Sequence, residues 1–363
     1  RSGSVLLIGG APDGVDARVL GELSLAFDAA SSAGVPLVHV ARDAERMRAT
    51  AEGLAFFAPK VEILSFPAWD CLPYDRVSPN HEVSSARMDV LGRVLAAQDA
   101  EPAPRIVLTT VSAALQRVHP PERISGAVFH AAVGAQVDTE ALLAFLAANG
   151  YERASTVREA GEFAVRGGII DIFPARSGDP LRLDFFGDQL EAVRRFDPLT
   201  QISTGQTDRV SLLPVGEVML DQASVERFRQ SYRARFGAVT SADPLFEAVS
   251  AQRRHIGMEH WLPLFHDDLV TLFDYMPGAW ITLDYLAKEA VSARFELIGE
   301  QYAARVQARQ EEGALHASYK PLPPDQLYLS DTEWSSLLGG RKAARFAPHP
   351  PPGEGGLSAD AGG

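Results

Sequence analysis

Residues 5–20 read VLLIGGAPDGVDARVL, an apolar run followed by a glycine-rich turn and the start of an amphipathic helix. A short apolar strand, a turn and a helix in this order are typical of a parallel sheet covered by helices. Gly9 and Gly14 also have the spacing of a phosphate-binding loop, in which the next two residues are lysine and serine or threonine. This chain has Val15 and Asp16 there. We therefore expect a strand-to-helix turn that lacks the side chains needed for ATP hydrolysis.

The alternation of strand and helix continues through the first third of the chain. Further strands are predicted at 36–40, 61–66 and 105–110, and helices at 16–33, 43–56 and 82–98. This order predicts an α/β domain with a parallel sheet, whose first part we assign to residues 1–120.

Residues 121–210 have a different pattern. A helix is predicted at 138–150, and closely spaced strand candidates follow it, separated by Gly, Pro and Asp. This arrangement predicts a small α+β domain of antiparallel strands that is inserted into the first domain.

The remaining chain returns to helices, with one buried strand predicted at 280–286 and a long helix at 287–310. We assign residues 211–335 to the second part of the first domain. Residues 336–363 end in a Pro- and Gly-rich run, and we predict that they are a disordered tail or linker.

Composition limits the possible functions. With 34 basic and 47 acidic side chains the formal net charge is −13, which argues against indiscriminate binding to nucleic acid. The single cysteine, Cys71, excludes an internal disulfide, and the histidines at 255, 260 and 266 lack the spacing of a metal site. No apolar run is long enough to span a membrane, so we expect a cytoplasmic protein without a membrane partner. Because the chain begins at Arg1, we expect it to be part of a longer protein.

Three stretches resemble a known family. FPAWDCLPYDRVSPNHEVSSARMDVLGRVL (66–95) and GEFAVRGGIIDIFPARSGDPLRLDFFGDQLEAVRRFDPLTQ (161–201) resemble the N-terminal UvrB-homology module of bacterial transcription-repair coupling factors, the Mfd family. FDYMPGAWITLDYL (273–286) resembles the segment of UvrB that ends in its Asp-Glu box. The resemblance implies a degenerate helicase-type (RecA-like) α/β domain built from two chain segments, with an inserted α+β domain similar to domain 2 of UvrB.

The resemblance also implies that the motor chemistry of UvrB has been lost. Val15 and Asp16 replace the lysine and hydroxyl of its phosphate loop, and Asp284-Tyr285 stands where Asp-Glu is expected. The segment DRVSPNH, 75–81, is too short for the aromatic-rich hairpin with which UvrB holds DNA. We therefore expect no enzyme activity and no cofactor here. ATP, Mg²⁺, DNA translocation and contacts with RNA polymerase and double-stranded DNA are expected of other parts of the longer protein.

A candidate partner-binding site lies in the inserted domain. Residues 181–186, LRLDFF, are predicted to be a strand with Phe186 and Arg182 on its polar face, and Arg166 ends a strand that could lie beside it. The resemblance implies that Arg166, Arg182 and Phe186 bind UvrA, the arginines by forking onto carboxylates and the ring by filling an apolar pocket. The alternative interpretation puts Arg182 in a surface pair with Asp184 or Asp188 and covers Phe186 with a local loop.

Three functions therefore remain open. The leading one is a non-catalytic adaptor that recruits UvrA to start nucleotide excision repair at stalled RNA polymerase. The second is a UvrB-type ATPase that binds damaged DNA, which the missing lysine disfavours. The third is a weak DNA-binding scaffold, which the net charge of −13 disfavours.

Overall fold

The computed structural model describes residues 5–30, 36–98, 101, 103–174, 179–239, 243–312 and 319–349. Its strands are β1 Leu6–Ile8, β2 Leu37–Ala41, β3 Glu62–Phe66, β4 Arg105–Thr110, β5 Phe129–Ala132, β6 Glu152–Arg153, β7 Glu162–Arg166, β8 Ile169–Ile172, β9 Leu181–Phe186, β10 Gln189–Phe196, β11 Ser203–Thr207, β12 Arg209–Leu212, β13 Trp280–Leu283 and β14 Ala343–Phe346. Its α-helices are α1 Val15–Ala30, α2 Ala44–Phe57, α3 His81–Ala96, α4 Val111–Ala114, α5 Pro121–Ser125, α6 Thr139–Ala148, α7 Gln222–Phe236, α8 Pro244–Ser250, α9 Ala287–Glu312, α10 Pro324–Leu327 and α11 Asp331–Gly339. Two 3₁₀ helices lie at Met258–Phe265 and Leu272–Tyr275.

Six parallel strands form the main sheet, in the order β1-β14-β13-β2-β4-β3. Successive residues of β2 enter different cores: Leu37 packs with α1 and α2, and Val38 packs with α3, α4 and α9. Because helices cover both faces, every residue of β2 is buried, which explains why four of its five residues are apolar. The predicted parallel, helix-covered sheet is confirmed.

Helices α1 and α2 pack closely because each has a glycine at the contact. A Cβ atom on Gly21 would lie 2.6 Å from the Cβ of Ala58, and one on Gly53 would lie 2.8 Å from the Cβ of Ala17. Both distances are shorter than side chains tolerate, so these glycines set the separation of the two helices.

The inserted domain has a second six-stranded sheet, in the order β11-β10-β9-β8-β7-β6. Neighbouring strands are antiparallel apart from β6 and β7, which are parallel. Helix α6 and the β5–β12 pair cover one face, where Leu142 and Leu146 pack against Leu183, Leu190 and Val193. This is the small inserted α+β domain that the sequence predicts.

The segments after the inserted domain also build a helical layer beside the sheet. Its core contains Phe228 and Tyr232 of α7, Trp261 of the first 3₁₀ helix, and Tyr328, which follows α10. The rings of Phe228 and Phe265 stack with their centroids 4.7 Å apart. None of the helices in the described part of the chain is long and apolar enough to cross a bilayer.

A buried ion pair joins helix α3 to the segment that follows the inserted domain. Arg87 of α3 donates to Glu217, with Nε 2.9 Å from Oε1, and both side chains are almost fully buried. The indole N–H of Trp69 donates to the same oxygen at 2.5 Å. Nearby, Nε2 of His81 lies 3.0 Å from the carbonyl oxygen of Gly150, at the end of α6. These contacts fix the point where the chain leaves the inserted domain.

The predicted tail from residue 336 is wrong over its first part. Helix α11 continues to Gly339, and β14 lies inside the main sheet between β1 and β13. The segment 343–346, AARF, is short and contains an arginine, so its sequence does not indicate a strand. It is buried because it lies between two parallel strands. The rest of the predicted tail, from 350 onward, lies outside the described residues.

The predicted boundaries of the inserted domain also need adjustment. Ile124 of α5 packs in the core of the main sheet, so residues 121–125 belong to the first domain. Strand β12 passes the predicted end at 210 and pairs with β5 as far as Leu212.

Candidate functional site

The loop after β1 bonds to its own aspartate. Gly14 has a φ of +99°, and α1 begins at Val15, whose side chain is 43% exposed. Asp16 is 4% exposed, and its Oδ1 accepts from the backbone N–H groups of Gly14 at 3.0 Å and Ala17 at 2.8 Å. In a phosphate-binding loop such N–H groups at the start of a helix face the anion. Here a carboxylate of the chain itself takes that role.

Two arginines complete this arrangement, one between β2 and α2 and one in the first turn of α2. Arg46 is 6% exposed and pairs with Asp16, and its Nε lies 3.4 Å from Asp284 and 3.6 Å from Asp13. Nη1 of Arg42 lies 3.1 Å from both oxygens of Asp284, and its Nη2 lies 3.1 Å from Asp13. We call these five side chains the charge cluster. It lies where β1, β2 and β13 end, which is the edge of a parallel sheet that usually binds ligands.

The charge cluster does not fit a nucleoside triphosphate with Mg²⁺. It contains three carboxylates and two guanidiniums, and both guanidiniums are already paired. Tyr285 stands beside Asp284, and its ring lies 5.2 Å from the guanidinium carbon of Arg42. A phosphate group would meet net negative charge and no lysine ammonium.

His39 of β2 lies under the charge cluster and is fully buried. Its Nδ1 is 3.0 Å from Oγ1 of Thr282. Burial lowers the pKa of His39 to about 4, although the carboxylates of Asp16 and Asp284 oppose that shift.

Sequence reasoning placed Asp16 and Asp284 at this site but missed Asp13, Arg42, Arg46 and His39. The position of Arg42 in the sequence could have indicated it, because it directly follows β2 and the strands of a parallel sheet end at one edge. Of the three histidines, His266 contacts His119, with ring nitrogens 3.0 Å apart, and the ring of His260 packs against that of Trp69. Across the described ranges, no three His, Cys, Asp or Glu side chains are arranged to hold a metal ion.

Phe186 lies at an exposed end of the inserted domain. Two tight turns, at 167–168 and 187–188, lie at this end of the sheet. A Cβ atom on Gly168 would lie 2.7 Å from the carbonyl oxygen of Phe185, so only glycine allows this approach of the first turn to β9. Leu181 and Leu183 are buried in the domain core, whereas Phe186 is 76% exposed. The structure therefore presents the ring to solvent rather than under a loop.

Arg166 lies at the same end but not on the strand beside β9. Strand β8 lies between β7 and β9, and Arg166 is opposite Ile169, which is opposite Asp184. Arg166 therefore shares the polar face with Phe186 but lies two strands away and two residues back along the strand direction, about 12 Å between Cα positions. Its Nη2 donates to the carbonyl of Ser155 at 2.8 Å.

Arg182 already has a carboxylate partner within the domain. Its Nε and Nη2 donate to the two oxygens of Asp171 at 2.7 and 2.9 Å, and Asp171 is 2% exposed. The guanidinium carbon also lies 4.7 Å from the ring centre of the buried Phe196. To bind a partner carboxylate Arg182 would have to leave Asp171, which would bury an unpaired carboxylate. That Arg182 binds UvrA stays a prediction.

Comparison with known proteins agrees with this architecture. Residues 129–217 match the family model of the UvrB interaction domain. The transcription-repair-coupling factor of Haemophilus influenzae is 32% identical over 76% of this chain and 23% of its own length. Those of Escherichia coli and Myxococcus xanthus are 29% and 35% identical, over 88% and 66% of this chain and 27% and 21% of their own lengths. The chain thus spans about a quarter of the length of the curated relatives it matches. It belongs to the transcription-repair coupling factor family, of which it carries the UvrB-homology module.

Proposed function

We propose that this chain is a non-catalytic recruiting module that binds UvrA through the polar face of its inserted domain, at the end where Phe186 lies. Phe186 carries the proposal. Its ring is 76% exposed and belongs to the part of the chain that matches the UvrB interaction domain. A large exposed aromatic side chain on a rigid strand is typical of an interface anchor, because little conformational entropy is lost when it binds.

The two arginines have different roles in this proposal. Arg166 is exposed, and its surface hydrogen bonds to Ser155 and Thr156 exchange readily for bonds to a partner carboxylate. Arg182 supports the sheet through Asp171 rather than meeting the partner as a free cation.

The charge cluster supports a module that needs neither ATP nor Mg²⁺. The backbone N–H groups of Gly14 and Ala17 are bonded to Asp16, and Arg46 is buried among carboxylates. Opening this cluster for a nucleotide would separate buried opposite charges, which is costly.

Titration calorimetry with UvrA tests the recruiting function. The Phe186→Ala variant should bind about 1–3 kcal/mol more weakly than the unmodified chain, the range for a truncated interface anchor. Phe56→Ala is the matched control, since Phe56 is 79% exposed on α2 in the other domain. Equal affinity of the unmodified chain and Phe186→Ala would refute the proposal.

The competing ATPase function is tested by measuring ATP hydrolysis with and without DNA. We expect no turnover and no rise in melting temperature with Mg-ATP, because the charge cluster offers phosphate no unpaired cation. A DNA-stimulated rate would instead favour a UvrB-type enzyme. DNA binding that weakens steeply with salt would favour the DNA-binding scaffold.

The coupling of transcription to repair, named in the relatives, would be completed elsewhere in a longer protein. We assign to those parts the contacts with RNA polymerase and double-stranded DNA and the ATP-driven translocation. The present module would contribute the recruitment of UvrA that starts excision repair.

A further inference from the structure

A second exposed apolar feature lies on the polar face of the inserted domain. The loop between β10 and β11, residues 197–202, carries Leu199, which is 85% exposed, and Ile202, which is 67% exposed. We call it the DPLTQI loop after its sequence. Neither side chain contributes to a core, so folding of the domain gives no reason for apolar residues at these positions.

The DPLTQI loop is rigidly built. Oδ1 of Asp197 accepts from the backbone N–H groups of Leu199 at 3.0 Å and Thr200 at 2.7 Å. The Asp197 N–H donates to the carbonyl of Ile202 at 2.9 Å, which closes the loop. Gln201 has a φ of +61°, which is uncommon outside glycine, and its side-chain amide donates to the carbonyl of Val157 at 3.0 Å. The backbone that carries the two apolar side chains is therefore held in place before any partner binds.

Arg182 connects this loop to the sheet. While two of its nitrogens hold Asp171, its Nη1 donates to the carbonyl of Gln201 at 3.4 Å. The guanidinium also covers Phe196, the residue just before the loop. Arg182 thus holds the backbone of the DPLTQI loop at the residue with the unusual φ.

We propose that Leu199 and Ile202 form a second contact point for the partner that binds Phe186, and that Arg182 is the residue that positions them. This inference rests on the proposed function. Arg182 and Phe186 are four residues apart on one strand face, about 13 Å, so the loop and the ring can meet one partner. A stable interface covers about 800 Å² on each side, several times the area of one phenylalanine, so contacts beyond Phe186 are required.

The first experiment measures the affinity of UvrA for the Leu199→Ser, Ile202→Ser double variant. Both residues are exposed, so the fold should be unaffected, and we expect binding to weaken about 5- to 30-fold. Val133→Ser is the matched control, since Val133 is 41% exposed in the same domain but outside the sheet that carries Phe186.

The outcomes separate the two proposals. Unchanged affinity of the loop variant, with weaker binding of Phe186→Ala, overturns this inference alone. Unchanged affinity of both variants overturns the proposed function. If the loop variant changes only self-association of this chain, measured by light scattering, the DPLTQI loop contacts a second copy and the inference is likewise wrong.

A double-mutant cycle tests the positioning role. Changing Asp171→Asn together with Arg182→Gln removes the ion pair without leaving a buried lone charge. If Arg182 acts through the loop, this pair of changes weakens UvrA binding in the unmodified background but adds little once Leu199 and Ile202 are serine. Amide hydrogen exchange at 197–202 should also be faster in the free Asp171→Asn, Arg182→Gln protein. Additive losses of affinity, or unchanged exchange, would show that Arg182 does not position the loop.

Discussion

The charge cluster and the exposed end of the inserted domain both contain residue types that are common in binding sites. They differ in whether those side chains already contact other groups of the same chain. In the charge cluster, Arg46 is 6% exposed and bonded to carboxylates of the chain itself. At the inserted domain, Phe186 is 76% exposed, so its ring is in contact with water. A paired buried charge must lose its partners before it binds a ligand, whereas an exposed ring gains by leaving water.

Arg182 shows that the same distinction applies within one domain. It lies on the same strand face as Phe186, but its guanidinium is committed to Asp171. The presence of an arginine at a position implied by the family resemblance is therefore weak support for a binding role until its contacts within the chain are known. An aromatic residue that remains exposed is stronger support, because the folded chain has not used it.

The largest effect is expected from Arg46→Ala. Removing this guanidinium leaves Asp16, 4% exposed, and Asp284, 1% exposed, without their shared cation, and should lower the free energy of unfolding by about 3–5 kcal/mol. Urea denaturation measures the loss. Arg48→Ala on the same helix is the control, since Arg48 is 71% exposed and pairs with Glu52 on the surface, which is worth less than about 1 kcal/mol. Similar losses for both variants would mean that the charge cluster is not a stabilising unit.

A smaller loss is expected when the consensus loop is restored by Val15→Lys with Asp16→Thr. The change removes the carboxylate that accepts from Gly14 and Ala17, so stability should fall by about 2–3 kcal/mol. ATP hydrolysis should remain absent, because Asp13 and Asp284 still pair with the arginines. The single Val15→Lys variant, at an exposed position, is the control. Restored ATPase activity would show that the cluster opens more easily than its geometry indicates.

The pH dependence of stability should reflect the buried histidines. His39 has a pKa of about 4 in the folded chain and about 6.5 when unfolded, so the unfolded state binds more protons between these values. The contribution of His39 to the free energy of unfolding should therefore fall by about 1–2 kcal/mol as the pH drops from about 7 to 5. The buried His119, His260 and His266, whose pKa values are also lowered by burial, add to the total fall. His39→Asn should reduce this slope, and His130→Asn, on the exposed side of β5, is the control. An unchanged slope in the His39 variant would contradict the lowered pKa.

The smallest effect on stability is expected from Arg166→Ala. Its hydrogen bonds to Ser155 and Thr156 lie at the surface, so their loss should cost no more than about 1 kcal/mol in thermal unfolding. Binding to UvrA should nevertheless weaken, by about 1–2 kcal/mol in calorimetry. If Arg166→Ala instead lowers stability more than it lowers UvrA affinity, Arg166 supports the domain as Arg182 does.

The sequence predicted the regular elements well because their information is local. The apolar run at 105–110 corresponds to β4, and the helices predicted at 43–56 and 82–98 correspond to α2 and α3. The two-residue period of LRLDFF also placed Phe186 on the polar face. These predictions depend on neighbours within a few residues.

The parts that failed depend on distant partners. Arg42 meets Asp284 across 242 residues, so no local pattern indicates that pair. Strand β14 is four residues long and becomes a strand only because β1 and β13 lie on either side. The pairing of Arg182 with Asp171 follows from the register of β8 and β9. That register cannot be read from the sequence, because a long loop joins the two strands.

The position of β14 has a consequence for how the chain is assembled. Among the strands of the described chain, β1 pairs only with β14. The strand that β1 needs as a neighbour is therefore synthesised more than three hundred residues later. During synthesis the inserted domain, whose strands all lie between 129 and 212, can form first. The main sheet closes only after Phe346 has left the ribosome, and a truncation that removes β14 should leave the amino terminus and its charge cluster unanchored.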